Sequence, residues 1–184
     1  MIFFQTWTSA IGEIFLVSSH DALLMCDWFH GAKFRRHIDK LRTAYSGKWI
    51  EEDCDILRRS RHEITEFLNG NRTEFSVSYA LTGTDFQKAV WRAVSKIPYG
   101  STVSYADIAI AIGKPSSVRA VANAIGANPL PLIIPCHRVV GSDGAITGYS
   151  GGRLVKRTLL QLENGNKTPL CFMENVHGCD DSRG

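Results

Sequence analysis

A cysteine followed by two basic residues stands out in this chain, because a thiol becomes a strong nucleophile only after it loses its proton. The segment PCHRV spans residues 135 to 139 and follows the apolar run LII. Free cysteine has a pKa near ~8.5, and a neighbouring positive charge or general base raises its thiolate fraction. His137 and Arg138 are candidates for that influence. Cys136 is therefore a candidate nucleophile; the alternative is a small buried apolar residue.

The elements that must position this cysteine are helices joined by tight turns. The spacing of apolar residues and the capping residues predict helices over 84–97, 104–112 and from Ser116 or Ser117 to Ile125. Gly113 and Pro115 separate the second helix from the third. Two short helices with such a turn are typical of the helix-turn-helix motif of DNA-binding proteins.

The third of these helices carries few of the side chains that read bases in the major groove. Arg119 and Asn123 stand among small residues such as Ala120 and Ala122. A slim helix of this kind could approach the minor groove closely and insert one side chain into the duplex. Alternatively, its alanines only allow two helices to pack closely.

The first 83 residues predict a separate α/β unit without a catalytic cluster. Runs over 2–7, 13–18 and 22–28 predict an antiparallel meander, and 33–45 and 55–68 predict two helices. Residues 72–81 alternate again, which favours a returning strand. We interpret the histidines of this half as solvated surface residues: His20, His30, His37 and His62.

Composition is that of an ordinary globular protein of 184 residues with 44% hydrophobic content. The five scattered cysteines favour free thiols in a reducing compartment, and none of them has the spacing of a zinc site. We expect no metal, no membrane span and a cytoplasmic location. Residues 84–164 carry nine Lys and Arg against four Asp and Glu, which suits a polyanionic partner.

Residues 86 to 163 resemble the catalytic domain of the O6-alkylguanine-DNA alkyltransferases, also called methylated-DNA–protein-cysteine methyltransferases. Three segments carry the resemblance in order: FQKAVWRAVSKIPYGSTVSYADIA, RAVANAIGANPLPLIIPCHRVVGSDGAITGYSGG and KRTLLQLEN. The run resembles the family's bacterial constitutive members, which place a short α/β domain in front. The zinc ligands of some animal members are not matched here.

The resemblance implies that Cys136 accepts the alkyl group directly from O6-alkylguanine, and also from O4-alkylthymine, in DNA. The transfer would be irreversible, so each molecule would act once and without a cofactor. His137 would act as a base toward Cys136 through a bridging water, and Glu163 would hydrogen-bond His137. Tyr105 would donate its hydroxyl to the departing guanine. Arg138 matches the family motif, and we expect a structural ion pair from it.

The resemblance also implies how the nucleotide is extruded and held. Arg119 would fill the gap that the flipped nucleotide leaves, on a DNA-contacting helix that also presents Ser117, Ala120, Ala122 and Asn123. The loop over 142–152 would close over the flipped base. The residues assigned to the substrate pocket on this basis are Asn128, which would brace the preceding turn, and Pro131, Val139, Ile146, Tyr149 and Ser150.

We therefore predict an α+β protein with an N-terminal α/β domain over 1–83, a catalytic DNA-binding domain over 84–165 and a flexible tail over 166–184. Its expected partner is double-stranded DNA containing O6-alkylguanine, bound by a monomer, with cooperative binding along DNA left open. Three other interpretations compete: a non-enzymatic protein that binds alkylated bases, a cysteine hydrolase acting on a small substrate, and a transcriptional regulator.

Overall fold

The apolar runs at the start of the chain form a four-stranded sheet in the computed structural model, which describes residues 1–29 and 31–165. Strands β1 (Ile2–Ser9), β2 (Gly12–Ser18) and β3 (Leu23–Trp28) are antiparallel neighbours, as predicted. The short strand β4 (Trp49–Ile50) adds to β1 in parallel. The tail predicted over 166–184 lies outside the described residues.

Both faces of this sheet are covered by helices, which is why β2 and β3 contain nearly continuous apolar runs. Alternate residues of β2 point to opposite faces, so that Phe15 and Val17 pack with helix α1 (Gly31–Ala44). Ile14 and Leu16 belong instead to the cluster that contains helix α2 (Asp55–Leu68). Helix α2 begins and ends at the predicted residues.

The strand predicted over 72–81 is wrong, since only Tyr79 makes a bridge, to Leu23 of β3. The carboxylate of Glu63 on α2 accepts hydrogen bonds from the backbone N–H groups of Ser76 and Val77, at 2.7 and 3.1 Å. These two donors are therefore bound to a side chain and are not available to a neighbouring strand. The segment runs alongside α2 as an irregular connection.

One histidine of the front half is buried, contrary to the expectation from sequence. His37 on α1 is 5% exposed, and its Nδ1 lies 3.0 Å from the Asp27 carboxylate on β3. Asp27 is itself 2% exposed, so each side chain satisfies the other's polar atom in the interior. His20 and His62 are exposed as expected. His30 lies outside the described residues.

The second half begins with three short helices, and the first two have the caps expected from the sequence. The cap expected at Ser116 or Ser117 for the third helix is not formed. Thr84 and Gln87 form a capping box at the start of α3 (Asp85–Val94), and Ser104 and Asp107 form another at the start of α4 (Tyr105–Ala111). Helix α5 (Val118–Gly126) follows a single 3₁₀ turn and lacks a side-chain cap. The predicted helix-turn-helix is present as α4 and α5.

Two small elements bring the helix-turn-helix next to the cysteine segment. Strand β5 (Val103–Ser104) lies just before α4, and it pairs in parallel with β6 (Val139–Val140), which lies just after the cysteine. Helix α6 (Gly152–Glu163), the last in the described part of the chain, packs against the cysteine turn. Residues distant in sequence thus meet around residue 136.

The front sheet and the second half share one hydrophobic core. The cluster that contains Leu16 and Phe67 from the front half continues through Trp91, Val121 and Leu159 of the second half. The Trp91 indole also donates a hydrogen bond to the carbonyl of Ala124 on α5, at 2.8 Å. In the part of the chain that the structure describes, no helix has the length and apolar character needed to cross a membrane.

Candidate active site

Cys136 opens a single 3₁₀ turn, Cys136–Arg138, that leads directly into β6. Cys136 is 6% exposed, and its thiol donates a hydrogen bond to the carbonyl oxygen of Pro131 at 3.7 Å. The turn is packed against α6 and is flanked by apolar residues of the core. The thiol is therefore held in a fixed position with little contact with water.

Burial raises the pKa of the Cys136 thiol to about 12. The side-chain amide of Asn128 and the ammonium group of Lys156 act in the opposite direction, while the Asp27 carboxylate raises the pKa further. The sequence offers His137 and Arg138 as a neighbouring charge or a general base, and neither residue is among the groups that shift this pKa. Because almost no thiolate exists at neutral pH, the thiol needs a base that removes its proton during the reaction.

His137 is fully buried, and its hydrogen bonds leave one ring nitrogen able to accept a proton. Its Nε2 lies 2.7 Å from the Glu163 carboxylate on α6, and its Nδ1 has no hydrogen-bond partner among the described residues. Burial lowers the pKa of His137 below its ordinary value, although Glu163 opposes this effect. The imidazole is thus neutral at pH 7, with Nε2–H donating to Glu163 and Nδ1 left as a proton acceptor.

The Glu163 carboxylate is shared between His137 and Arg138. The Arg138 guanidinium donates to it from Nε and Nη2 at 3.0 to 3.1 Å, and the backbone N–H of Gly100 donates at 2.9 Å. Burial acts to raise the pKa of Glu163, but the hydrogen bonds from His137 and Arg138 prevail and the pKa lies below its ordinary value. Arg138 forms the structural ion pair expected from the sequence and faces Glu163.

Lys156 is a charged residue of the site that the sequence argument missed. It is fully buried on α6, and its ammonium group donates to the carbonyl of Val139 at 2.6 Å. Burial lowers the pKa of Lys156, and the nearby Cys136 acts to raise it. Its spacing along the helix indicates burial, because Lys156 lies on the same helical face as the buried residues Val155, Leu159 and Glu163.

A pocket of about 320 Å³ gives access to Cys136. The hydroxyl of Tyr105, the first residue of α4, lies in this pocket 2.7 Å from the hydroxyl of Thr147. The walls come from α4, α5 and the loop before α6, and the remaining lining residues are Ala122, Asn123, Ile125, Gly126, Gly148, Tyr149 and Ser150. The pocket therefore opens between the helix-turn-helix and the nucleophile.

The predicted pocket residues fall into two groups. Tyr149 and Ser150 line the pocket, whereas Ile146 is half-buried outside its lining. Asn128 lies behind the thiol: its amide donates to the carbonyl of Ile134 at 2.9 Å and accepts from the N–H of Leu130 at 2.9 Å. These two hydrogen bonds brace the turn between α5 and Cys136.

The carbonyls of two further predicted pocket residues serve as hydrogen-bond acceptors beside the pocket. The Pro131 carbonyl accepts from the Cys136 thiol and also from the Tyr149 hydroxyl at 3.2 Å. The Val139 carbonyl accepts from Lys156. Neither residue contributes to the pocket lining.

The predicted DNA-contacting residues lie on α5 and on the 3₁₀ turn that precedes it. Arg119, Ala120 and Asn123 are exposed, while Ser117 and Ala122 are half-buried. Close helix packing therefore does not explain the alanine at position 120. The opposite face of α5 carries the apolar residues Val121, Ala124 and Ile125 into the core.

The donor set around the thiol does not resemble a metal centre. In residues 1–29 and 31–165, no three His, Cys, Asp or Glu side chains come together in a way that could hold a metal ion. The buried cations Arg138 and Lys156 belong to the same site and would oppose a bound cation. The described cysteines Cys26, Cys54 and Cys136 are all free thiols.

Comparisons with known proteins agree with this geometry. Residues 85–165 match the family model described as 6-O-methylguanine DNA methyltransferase, DNA binding domain. The chain is 39% identical over 165 residues to the methylated-DNA–protein-cysteine methyltransferase of Methanosarcina barkeri, covering 90% of this chain and 99% of that protein. It is 51% identical over 122 residues to the inducible enzyme of Bacillus subtilis, covering 66% and 68%.

The same relationship holds for solved structures. The crystal structure of Mycobacterium tuberculosis OGT in complex with DNA superposes with a TM-score of 0.78 and 36% identity, over 92% of this chain and 97% of that one. The O6-methylguanine-DNA methyltransferase of Pyrococcus kodakaraensis superposes with a TM-score of 0.64 and 25% identity, over 89% and 99%. This chain belongs to the methylated-DNA–protein-cysteine methyltransferase family.

Proposed function

We propose that this protein repairs DNA by transferring the alkyl group of O6-alkylguanine to its own Cys136. One observation carries the proposal: His137, the residue after the thiol, is paired with the buried Glu163, and the pocket that reaches the thiol has the helix-turn-helix as one wall. A base and a nucleophile are thereby combined with a surface of the kind that binds DNA. A cysteine hydrolase would have no use for that surface.

The proposed transfer is a displacement at the alkyl carbon. The Cys136 sulfur forms a bond to this carbon, the carbon–O6 bond breaks, and its electron pair moves onto guanine. We assign His137 Nδ1, through a bridging water, as the acceptor of the thiol proton, and Glu163 as the group that orients and stabilises the imidazolium. Tyr105 supplies a proton to guanine, so that a neutral base departs.

The thioether that forms is stable, and this site offers no group suited to cleave it. Each molecule therefore reacts once, and the methyl donor is the damaged DNA itself. We accordingly propose that the reaction needs no cofactor. The same displacement would apply to O4-alkylthymine, in which the alkyl group also lies on an exocyclic oxygen.

The nucleotide must leave the duplex before O6 can approach a buried sulfur. Extrusion costs a few kcal/mol, and this cost is smallest for a base that pairs poorly. We propose that Arg119, exposed on α5, enters the duplex and fills the gap, while Ala120 and Asn123 lie against the groove. Phosphate contacts supply most of the affinity, so binding weakens as the salt concentration rises.

The experiment that tests this function is intact-protein mass spectrometry after mixing with a duplex that contains one O6-methylguanine. We expect a single gain of about 14 Da, located on the peptide that carries Cys136 and limited to one per molecule. The Cys136→Ser variant should bind the duplex and show no gain. A second duplex with O4-methylthymine tests the wider substrate range.

An unchanged mass together with tight binding of the damaged duplex would overturn the proposal. That result would favour a protein that binds alkylated bases without repairing them. An unchanged mass without binding would exclude both functions. Three further features stay proposals. Residues 84–165 would carry catalysis and DNA binding, with residues 1–83 as a supporting unit. The protein would be a monomer and would be located in the cytoplasm.

A further inference from the structure

We propose that Thr147 is a positioning residue that aims the Tyr105 hydroxyl proton at the departing base. The inference rests on the proposed alkyl transfer and concerns the same pocket. The two hydroxyl oxygens are 2.7 Å apart, and both side chains line the pocket that reaches Cys136. Among the described residues, each of these hydroxyls has the other as its only hydrogen-bond partner.

The direction of this hydrogen bond decides whether Tyr105 can act as a donor. A tyrosine hydroxyl carries one proton, so a bond donated to Thr147 would leave nothing to donate to the substrate. If Thr147 donates to the Tyr105 oxygen instead, the tyrosine proton is free to point into the pocket. A hydroxyl that accepts a hydrogen bond is also a better donor, because the two bonds polarise one another.

The loop that carries Thr147 is fixed on both sides of this residue. On one side, the N–H of Gly141 donates to the carbonyl of Ala145 at 2.9 Å. On the other side, the Tyr149 hydroxyl donates to Pro131 at 3.2 Å. These two contacts hold the loop, so the Thr147 hydroxyl can act as a preorganised donor to the tyrosine oxygen.

The proton balance assigns each group one task. As the sulfur–carbon bond forms and the carbon–O6 bond breaks, the thiol proton passes to His137 and the Tyr105 proton passes to guanine. Thr147 keeps its own proton and stabilises the negative charge that develops on the Tyr105 oxygen. Exchange with water afterwards returns His137 and Tyr105 to their resting states.

The test compares two substitutions that differ in one group. Thr147→Val keeps the branched shape and removes the hydroxyl, whereas Thr147→Ser keeps the hydroxyl. We expect Thr147→Val to slow single-turnover methyl transfer from an O6-methylguanine duplex by about tenfold. Thr147→Ser should recover most of the rate. Both rates are measured at saturating protein, together with the affinity for the same duplex.

A Tyr105→Phe background separates positioning from a structural effect. In that background Thr147→Val should cause no further loss, since there is no tyrosine proton left to aim. Equal rates for Thr147→Val and the wild type would overturn the inference, as would a tenfold loss that persists with Phe at position 105. If the wild-type protein transfers no methyl group, the proposed function itself fails, which is a different outcome.

Discussion

The Trp28 indole packs edge-on against the Tyr149 ring, with the ring centroids 5.4 Å apart and an interplanar angle of 66°. Trp28 ends strand β3 of the front sheet and is anchored by a hydrogen bond from its indole N–H to the carbonyl of Ile11. Tyr149 donates to the Pro131 carbonyl, which also accepts from the Cys136 thiol. The front sheet therefore supports the nucleophile through Tyr149 and Pro131.

A methyl group at position 151 should disturb this support. A Cβ added to Gly151 would lie 2.6 Å from the Trp28 ring, which is closer than real contacts allow. We expect Gly151→Ala to shift the pocket loop, to lower stability by about 1–3 kcal/mol and to slow methyl transfer by about tenfold. Urea unfolding and single-turnover kinetics measure the two effects.

Gly47→Ala is the matched control for that substitution, because its added Cβ would meet only the Met1 nitrogen at 3.8 Å. It should leave both quantities near their wild-type values. If Gly151→Ala behaves like Gly47→Ala, the indole does not hold the pocket loop in place.

The pH dependence of transfer should reveal the base. Burial lowers the pKa of His137 below its ordinary value of 6.5, so the imidazole is neutral and ready to accept a proton at pH 7. The Cys136 pKa of about 12 keeps the thiol protonated up to high pH. The wild-type rate should therefore be flat between about pH 7 and 9 and should fall only in more acidic buffers.

Replacement of the base should change the form of this profile. In His137→Gln, hydroxide must generate the thiolate, so the transfer rate should be far lower at pH 7 and rise about tenfold per pH unit up to pH 9. Single-turnover rates in buffers of constant ionic strength measure both profiles. A flat profile in the variant would show that His137 is not the base.

Two buried charges should tune the thiol in opposite directions. Lys156 lowers the pKa of Cys136 and Asp27 raises it. We expect Lys156→Met to slow the reaction of Cys136 with iodoacetamide, and Asp27→Asn to accelerate it, each by several-fold at pH 8. Peptide mass spectrometry follows Cys136 separately from the other cysteines. Changes of the same sign in both variants would contradict this electrostatic assignment.

The ion pair at the end of α6 should dominate stability in this region. Arg138→Gln leaves the Glu163 carboxylate buried with fewer partners, and loss of one partner of a buried pair costs about 3–5 kcal/mol. The exposed Arg119 is the matched control, because Arg119→Ala should change stability by less than about 0.5 kcal/mol. Denaturant unfolding at pH 7 measures both values, and similar small losses would show that the pair contributes little.

The same site should make the protein sensitive to acid. The folded-state pKa values of His137 and Glu163 both lie below their ordinary values, so the unfolded chain binds protons more readily. The free energy of unfolding should therefore decline from about pH 6.5 downward, first through His137 and then through Glu163. Glu163→Gln should flatten the lower part of this decline. A parallel decline in that variant would place the acid-sensitive group elsewhere.

Arg119 should matter for duplex substrates and little for a free base. An exposed guanidinium on α5 has no role in the chemistry, but it can fill the gap of an extruded nucleotide. We expect Arg119→Ala to slow repair of an O6-methylguanine duplex by at least about tenfold. The same variant should react with free O6-benzylguanine at close to the wild-type rate. Equal losses on both substrates would contradict the finger assignment.

Local sequence signals predicted most of the elements, because they act over short distances. The capping residues Thr84 and Ser104 mark helix starts that the structure confirms. The alternating pattern over 72–81 predicted a strand that does not form. The buried Glu63 side chain accepts the N–H hydrogen bonds that a strand would donate to its neighbour. No local pattern reports such a long-range contact.

The same limit applies to the buried polar residues of the site. His37 and Lys156 are buried because partners from other elements, Asp27 on β3 and the Val139 carbonyl on β6, meet them in the fold. The contact between His137 and Glu163 was expected through a family resemblance, and the two residues are 26 positions apart. The pKa of Cys136 depends on burial, on the Asn128 amide and on the charges of Lys156 and Asp27, so the pentapeptide alone could not predict its direction.

Because of the position of Glu163, we expect alkyl transfer to require that α6 has docked onto the rest of the fold. Its carboxylate contacts residues 26 and 63 positions earlier in the chain, so it reaches His137 and Gly100 only after α6 has docked. Contacts of such long sequence separation form late or require much of the native topology. We therefore expect a partly folded chain, in which α6 is still undocked, to lack the His137–Glu163 pair and to transfer no alkyl group. The time at which alkyl-transfer activity appears during refolding would thus report when α6 docks.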